Sequence, residues 1–224
     1  MTNITVQKFG SSVLPSRNDL GKAVDEIYRS VRRGEKVVAV VSAFGDTTDL
    51  LLEQARAFCA EPDMSGLASL VATGEATAAS YLVLALDQAG IQAELFDASR
   101  AGLYTDGDAL DATPIALDVE KFRDVFEESS VIVMPGFVGR SATGAQTLLG
   151  RGGSDLTALF VADQLDGQCV LFKDVDGYYD ADPNQHLLYG KTPLYIATYR
   201  RDVDLIKLLL LNRAKLEKYI PSDY

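Results

Sequence analysis

Short apolar runs alternate along this chain with stretches in which apolar residues recur every three or four positions, the pattern of strands alternating with helices. Residues 4–9, ITVQKF, predict a first strand that breaks at Gly10 into the small polar pair Ser11 and Ser12. From Asn18 onward Leu20, Val24, Ile27, Tyr28 and Val31 share one helical face, and Gly34 is expected to end that helix. Residues 37–44, VVAVVSAF, are almost continuously apolar, as suits a strand covered on both faces of a parallel sheet. Together these make a β-α-β unit.

The alternation continues. The loop FGDTTD brings Thr47, Thr48 and Asp49 to the start of the helix DLLLEQARAF, where the hydroxyls either cap the helix or face a ligand. Residues 67–90 read as helical, with Gly74 interrupting the helix ahead of Glu75. That pair either holds an ammonium group or simply places an acid in a first helical turn. Residues 91–99 suggest a strand, and the Asp-rich stretch 104–114 a hairpin or exposed loop whose carboxylates are solvated rather than metal-bound. A helix is expected over 119–127, and a strand runs through 129–139 into Pro135 and Gly136. After residues 147–155, TLLGRGGSD, comes a helix, and the last strand, QCVLFK, covers 168–173. The fold class expected is α/β: a three-layer α/β/α sandwich on a mainly parallel sheet, with ligands along the carboxyl edge of the strands.

Candidate chemistry concentrates where strands end. Lys8 stands at the carboxyl end of the first strand, as either a phosphate-binding or an edge lysine. In TLLGRGGSD, Gly150, Gly152 and Gly153 surround Arg151, whose planar fork matches a carboxylate or a phosphate. Ser154 and Asp155 are expected to cap the following helix, whose positive end favours an anion; the bland alternative is a tight strand-to-helix turn. In DVDGYYDADPN, Asp174, Asp176, Asp180 and Asp182 surround Gly177 beside Tyr178 and Tyr179, composing either a turn or a surface for a base and ribose.

Composition narrows the classes. With 224 residues, 47% hydrophobic and 24% charged, the chain can bury one sizeable core, alone or with a small appendage. A net charge of -11 opposes a nucleic-acid backbone, so no nucleic-acid partner is expected. Cys59 and Cys169, far apart in sequence, read as buried thiols of a reducing compartment. With no signal-type N-terminus and no apolar run approaching membrane-spanning length, a cytoplasmic protein without a membrane partner is expected.

Five blocks in one order carry a resemblance: KFGSS at 8–12, VVSAFGDTTDLL at 40–51, TGE at 73–75, TLLGRGGSDLTA at 147–158 and KDVDGYYDADP at 173–183. The chain resembles the aspartate kinases of the amino-acid kinase family over residues 1 to about 185. It is similar again to the kinase-like N-terminal regions joined to homoserine dehydrogenase, although no dehydrogenase portion is present. The resemblance implies an amino-acid kinase domain over 1–186 that phosphorylates the β-carboxylate of L-aspartate with ATP, Mg2+ being held mainly through the phosphates and no metal directly by the protein. It implies Lys8 and Asp155 as catalytic residues, and Ser42, Thr48, Glu75 and Arg151 around aspartate, Glu75 and Asp155 taking the ammonium and Arg151 the α-carboxylate. Gly10, Ser11, Lys173, Asp174, Tyr179 and Asp182 fall to the nucleotide. A homodimer is also implied.

Departures from the family pattern frame a second reading. Ser11 replaces a glycine of the usual FGGTS loop, Val13 a hydroxyl residue, and Asn184 a common arginine, which together point to a non-catalytic amino-acid or nucleotide binding module with a regulatory or scaffolding role. The tail, 187–224, resembles one ankyrin repeat: GKTPL, Ala197 four residues after Pro193, a Leu-rich second helix, and Asn212 to Ala214 near the turn. One such repeat cannot bury its own apolar face, so it is expected to dock on the body, stack with another copy or stay loose, and an unknown protein is its expected contact. Its alternative is a pair of ordinary helices finishing the α/β domain.

Overall fold

The structure is a computed structural model that describes residues 3–150 and 152–172. Arg151, Lys173, Asp174, Tyr179, Asp182, Asn184 and the ankyrin-like stretch 187–224 lie outside the described residues.

Among the described residues, five parallel strands form the central sheet. β1 (Ile4–Phe9), β2 (Lys36–Val41), β3 (Ala93–Leu95), β6 (Val131–Pro135) and β9 (Gln168–Phe172) are arranged in the order β3-β6-β2-β1-β9. Lys8 sits opposite Val40 on one side and Leu171 on the other, so the carboxyl ends of β1, β2 and β9 lie along one edge. Alternation decides which side chain faces which layer. Val37, Ala39 and Val41 of β2, with Val131 and Val133 of β6, pack beneath α1 (Leu20–Arg32) and α3 (Met64–Gln88) through Ile27, Leu82 and Leu86. Their neighbours Val38, Val40, Ile132 and Met134 pack on the opposite face against α4 (Val119–Glu128) and α5 (Gly153–Gln164) through Phe122, Phe126 and Val161. Helices on both faces of a parallel sheet are the three layers anticipated from the apolar pattern.

A second, smaller sheet was not anticipated. β4 (Tyr104–Asp108) and β5 (Asp111–Ala116) form the expected hairpin, and beside them lie β7 (Val138–Arg140) and β8 (Gln146–Leu148), in the order β5-β4-β7-β8. A buried hydrogen bond of 2.7 Å between the Thr105 and Thr147 hydroxyls ties β4 to β8. This sheet shares an apolar cluster, including Leu67, Val71, Val138 and Leu148, with α3 and with α2 (Thr47–Phe58).

Four local expectations change. Gly74 does not interrupt the helix: α3 runs unbroken from Met64 to Gln88, and Glu75 sits in its interior rather than at an opening. A Cβ at Gly74 would stand 3.2 Å from Ala43 Cβ and Thr47 Cγ2, so the glycine keeps α3 close to the β2–α2 loop. Its helix cost of about 1 kcal/mol is set against that packing. The strand expected over 91–99 is only Ala93–Leu95, because Asp97 turns the chain by accepting from the Arg100 amide at 2.7 Å. Cys59 is exposed and Cys169 only partly buried, correcting their reading as buried thiols. Finally, α3 has the length and hydropathy of a membrane span, at 25 residues and a mean hydropathy of 1.4, but half of that window is buried inside the fold. It is built as a core helix.

Candidate active site

The carboxyl edge of the parallel sheet opens into a cleft of about 690 Å³. Lys8, Ser11, Ser42, Thr48, Glu75 and Asp155, singled out in the sequence, line it together with Asp49, Gly150, Gly152, Gly153 and Ser154. They arrive by different routes. Lys8 is the penultimate residue of β1, and Ser42 follows β2 directly, its amide donating to Phe9 O at 3.1 Å. Thr48 lies in the first turn of α2, Glu75 in mid-α3, and Asp155 in the first turn of α5.

Helix α5 begins differently from the expected capping. Gly152, in the left-handed region at φ 80°, is the N-cap, so Ser154 and Asp155 sit inside the first turn. Gly150 is also left-handed, at φ 69°, and a Cβ there would stand only 2.0 Å from Asp111 Oδ1. Two positions demand glycine, Gly152 by conformation and Gly150 by conformation and by space, which explains the glycines at both. The positive pole of α5 consequently opens on the cleft, with Gly152, Gly153 and Ser154 at its wall.

Two ionisable features dominate the interior. Lys8, only 6% exposed, places Nζ 2.7 Å from Asp155 Oδ1. Gly10 makes room for it, since a Cβ at that position would meet Lys8 Nζ at 2.8 Å. Glu75 is 3% exposed, and its Oε2 has no hydrogen-bond partner. Burial pushes its carboxyl up to about 8, against the opposing pull of the Ala43 backbone hydrogen bond and the Lys8 charge.

Further residues escaped the sequence reading. Leu52 and Arg56 line the cleft on the same face of α2 as Thr48, a spacing of four that was available to find them. Leu110, in the turn between β4 and β5, and Phe137, just before β7, reach it where no local motif marks them, whereas Leu148 of β8 belongs to the TLLGRGGSD stretch. Among the described residues, no three His, Cys, Asp or Glu side chains cluster as a metal site. A wider hollow of about 780 Å³ shares Ser11 and Gly45 with the cleft and is also lined by Ser12, Arg17, Thr47 and Tyr81. It carries no buried ionisable group, so the chemistry concentrates in the cleft of Lys8 and Glu75.

Comparison with known proteins identifies the family and the fold. The sequence pattern described as the amino acid kinase family matches residues 3–190. An aspartokinase of Mycolicibacterium smegmatis is 37% identical over 182 residues, covering 80% of this chain and 43% of the relative. The chain therefore spans less than half the length of that curated relative. Among solved structures, the aspartate kinase from Synechocystis superposes with a TM-score of 0.65 at 28% identity, over 78% of this chain and 28% of the other. E. coli aspartokinase III, solved with aspartate and ADP, has the same fold, with a TM-score of 0.65 at 22% identity over 81% of this chain and 52% of its own.

Proposed function

Because this chain belongs to the amino acid kinase family, we propose that its cleft transfers the γ-phosphoryl group of ATP to the β-carboxylate of L-aspartate, giving 4-phospho-L-aspartate. The observation that carries the reading is the convergence, in one cleft beside a helix N-terminus, of Lys8, Glu75 and Asp155 from three separate elements. The aspartokinase relatives favour aspartate as the amino acid. In this reading the nucleophile needs no general base, since a free side-chain carboxylate with pKa near 4 is already ionised at neutral pH. The protein's task is alignment and neutralisation of charge.

The roles are those that the family resemblance implies. Lys8 turns from Asp155 toward the transferring phosphoryl oxygens, and the glycines of the loop before α5, with the helix end, take further anionic charge. Glu75 and Asp155 face the substrate ammonium, with Ser42 and Thr48 beside it, and Arg151 pairs with the α-carboxylate. Gly10, Ser11, Lys173, Asp174, Tyr179 and Asp182 serve the nucleotide, and magnesium enters with ATP as part of the substrate. A homodimer, a cytoplasmic location and a protein-contacting ankyrin-like stretch at 187–224 belong to the same proposal.

The test is ADP release by the full chain with MgATP and L-aspartate, L-glutamate or N-acetylglutamate in turn. Turnover with aspartate above the other two supports the reading. A second reading, a non-catalytic amino-acid or nucleotide binding module, is favoured by Ser11, a side chain in the cleft wall where the family loop has glycine. Calorimetric binding of aspartate or MgATP without stimulated turnover would select that module instead.

A further inference from the structure

Glu75 poses a question of charge. It is 3% exposed in the interior of α3, Oε2 lacks a hydrogen-bond partner, and the nearby lysine is committed elsewhere, Lys8 Nζ lying 2.7 Å from Asp155. The groups around it from neighbouring elements are few. β1 supplies Lys8, the loop after β2 a backbone hydrogen bond from Ala43, α5 contributes Asp155, and α2 carries Asp49 and Arg56 as exposed residues of the cleft wall. None of these cations forms an ion pair with Glu75. Among the described residues the Lys8 charge acts on Glu75 without pairing with it, so a bare carboxylate there would be a buried charge without an ion-pair partner, which is costly enough that the neutral acid is the resting form.

We propose that Glu75 enters the binding step as a neutral carboxylic acid and releases its proton to solvent when an ammonium-bearing ligand takes the adjacent space, so that ligand binding at this cleft expels a proton. This rests on the amino-acid reading of the cleft and adds the linkage to it. The balance is simple: the protonated Glu75 and R–NH3+ give a carboxylate paired with R–NH3+, plus one H+ to the buffer. The ligand's ammonium replaces the proton as the partner of the carboxylate, and no net charge is added to the cavity by that exchange. The upward shift of Glu75 to about 8 sets the window in which it is visible. Below that pH the ligand must displace a proton, and above it the carboxylate is already bare.

The experiment is calorimetric titration of L-aspartate into the full chain, at fixed pH, in buffers that differ in ionisation enthalpy. The slope of heat against that enthalpy counts protons. It should read about 0.9 released at pH 7, about half at pH 8 and about 0.1 at pH 9. Affinity should rise toward tenfold per pH unit up to about pH 8 and then level. Succinate, which lacks the ammonium, should release none, and Glu75→Gln should abolish the release with aspartate. Saturable aspartate binding with zero slope and pH-independent affinity from 6 to 9 would overturn the linkage while leaving the aspartate site standing. Failure of aspartate to bind at all, with or without MgATP, would overturn both. Undiminished release in a folded Glu75→Gln protein would overturn the assignment to this residue, and the wild-type pH series decides the matter even if that variant does not fold.

Discussion

Lys8 Nζ lies 2.7 Å from Asp155 Oδ1, an ion pair that ties the end of the first strand to the first turn of α5. The two side chains are 8% and 30% exposed, so the pair looks inward on one flank and into the cleft on the other. This geometry keeps the ammonium poised and compact until an anion competes for it.

If the proposed reaction is correct, separating the pair separates the kinetic constants. Lys8→Ala removes charge stabilisation felt most by the transferring phosphoryl group and should lower kcat by about 100-fold or more, with little change in the KM for aspartate. Asp155→Asn retains the shape but not the charge facing the ammonium, and should raise that KM by about tenfold. Steady-state ADP release measures both. Matching near-wild-type kinetics in the two variants would remove the assignment.

Glu75 makes stability depend on pH with a definite sign. Its carboxyl ionises near 4.5 when free and at about 8 in the fold, so between those values the folded state holds a proton that the unfolded chain has lost. That contribution is complete below about pH 4.5 and drains away as pH rises toward 8, by about 1.4 kcal/mol per unit, with no further loss above. Asp19 and Glu35 do not contribute in this window, because hydrogen bonds from Lys22 and Arg33 hold their carboxyls below the usual range. Thermal melts should show Tm falling from pH 5 to 8, and Glu75→Gln should flatten the slope. A wild-type Tm that does not move over that interval contradicts the burial argument.

Much of the fold could be read from the chain because parallel-sheet strands declare themselves. β2 is a run of valine and alanine with both faces covered, and the polar residues after β1 and β2 marked the edge where the cleft opens. The second sheet was hidden because β7 and β8 have three residues each, too few for a period to register. Gly74 misled for a related reason. A glycine that ends a helix and one that lets a helix lie close to its neighbour are spelled alike, and only the Ala43 and Thr47 methyls distinguish them. That Lys8, Glu75 and Asp155 belong to one cleft was legible by motif, whereas their pairing was not: sequence placed both acids toward an ammonium without showing that Lys8 bonds one of them and not the other.

That packing role at Gly74 is directly measurable. Gly74→Val puts branched methyls where even one Cβ would sit 3.2 Å from Ala43 and Thr47, and should destabilise the fold by about 1–3 kcal/mol. Gly74→Ala should come closer to neutral, since a helix-propensity gain of about 1 kcal/mol offsets a smaller clash. Denaturant midpoints of the two variants separate these effects. Valine as benign as alanine would show that α3 and the β2–α2 loop are not in close contact.

The two thiols should differ in reactivity. Cys59 is exposed, whereas burial and, secondarily, the Asp155 charge push the Cys169 thiol up to about 11. Since the thiolate is the reactive form, labelling at pH 8 should be biphasic, with Cys169 slower by about 100-fold or more. Cys59→Ser should delete the fast phase. Loss of the slow phase instead would make Cys59 the slower thiol and overturn this assignment.

Arg56 gives a prediction that depends on charge rather than on contact. It lines the cleft one turn beyond Leu52 and two beyond Thr48, is exposed, and forms no ion pair among the described residues. A cation so placed attracts a ligand carrying more negative than positive charge, without being positioned against the reacting atoms. Under the proposed reaction, Arg56→Ala should raise the KM for aspartate by about two- to fivefold and leave kcat within about twofold, while Arg56→Lys should stay near wild type because the charge is kept. Screening supplies the control: the Debye length shrinks from about 10 Å at 0.1 M salt to about 3 Å at 1 M, so the KM difference should fade as salt is added. A KM increase that persists undiminished at high salt, or that lysine fails to rescue, would mean that Arg56 makes a specific hydrogen-bonded contact with the substrate rather than acting through its field.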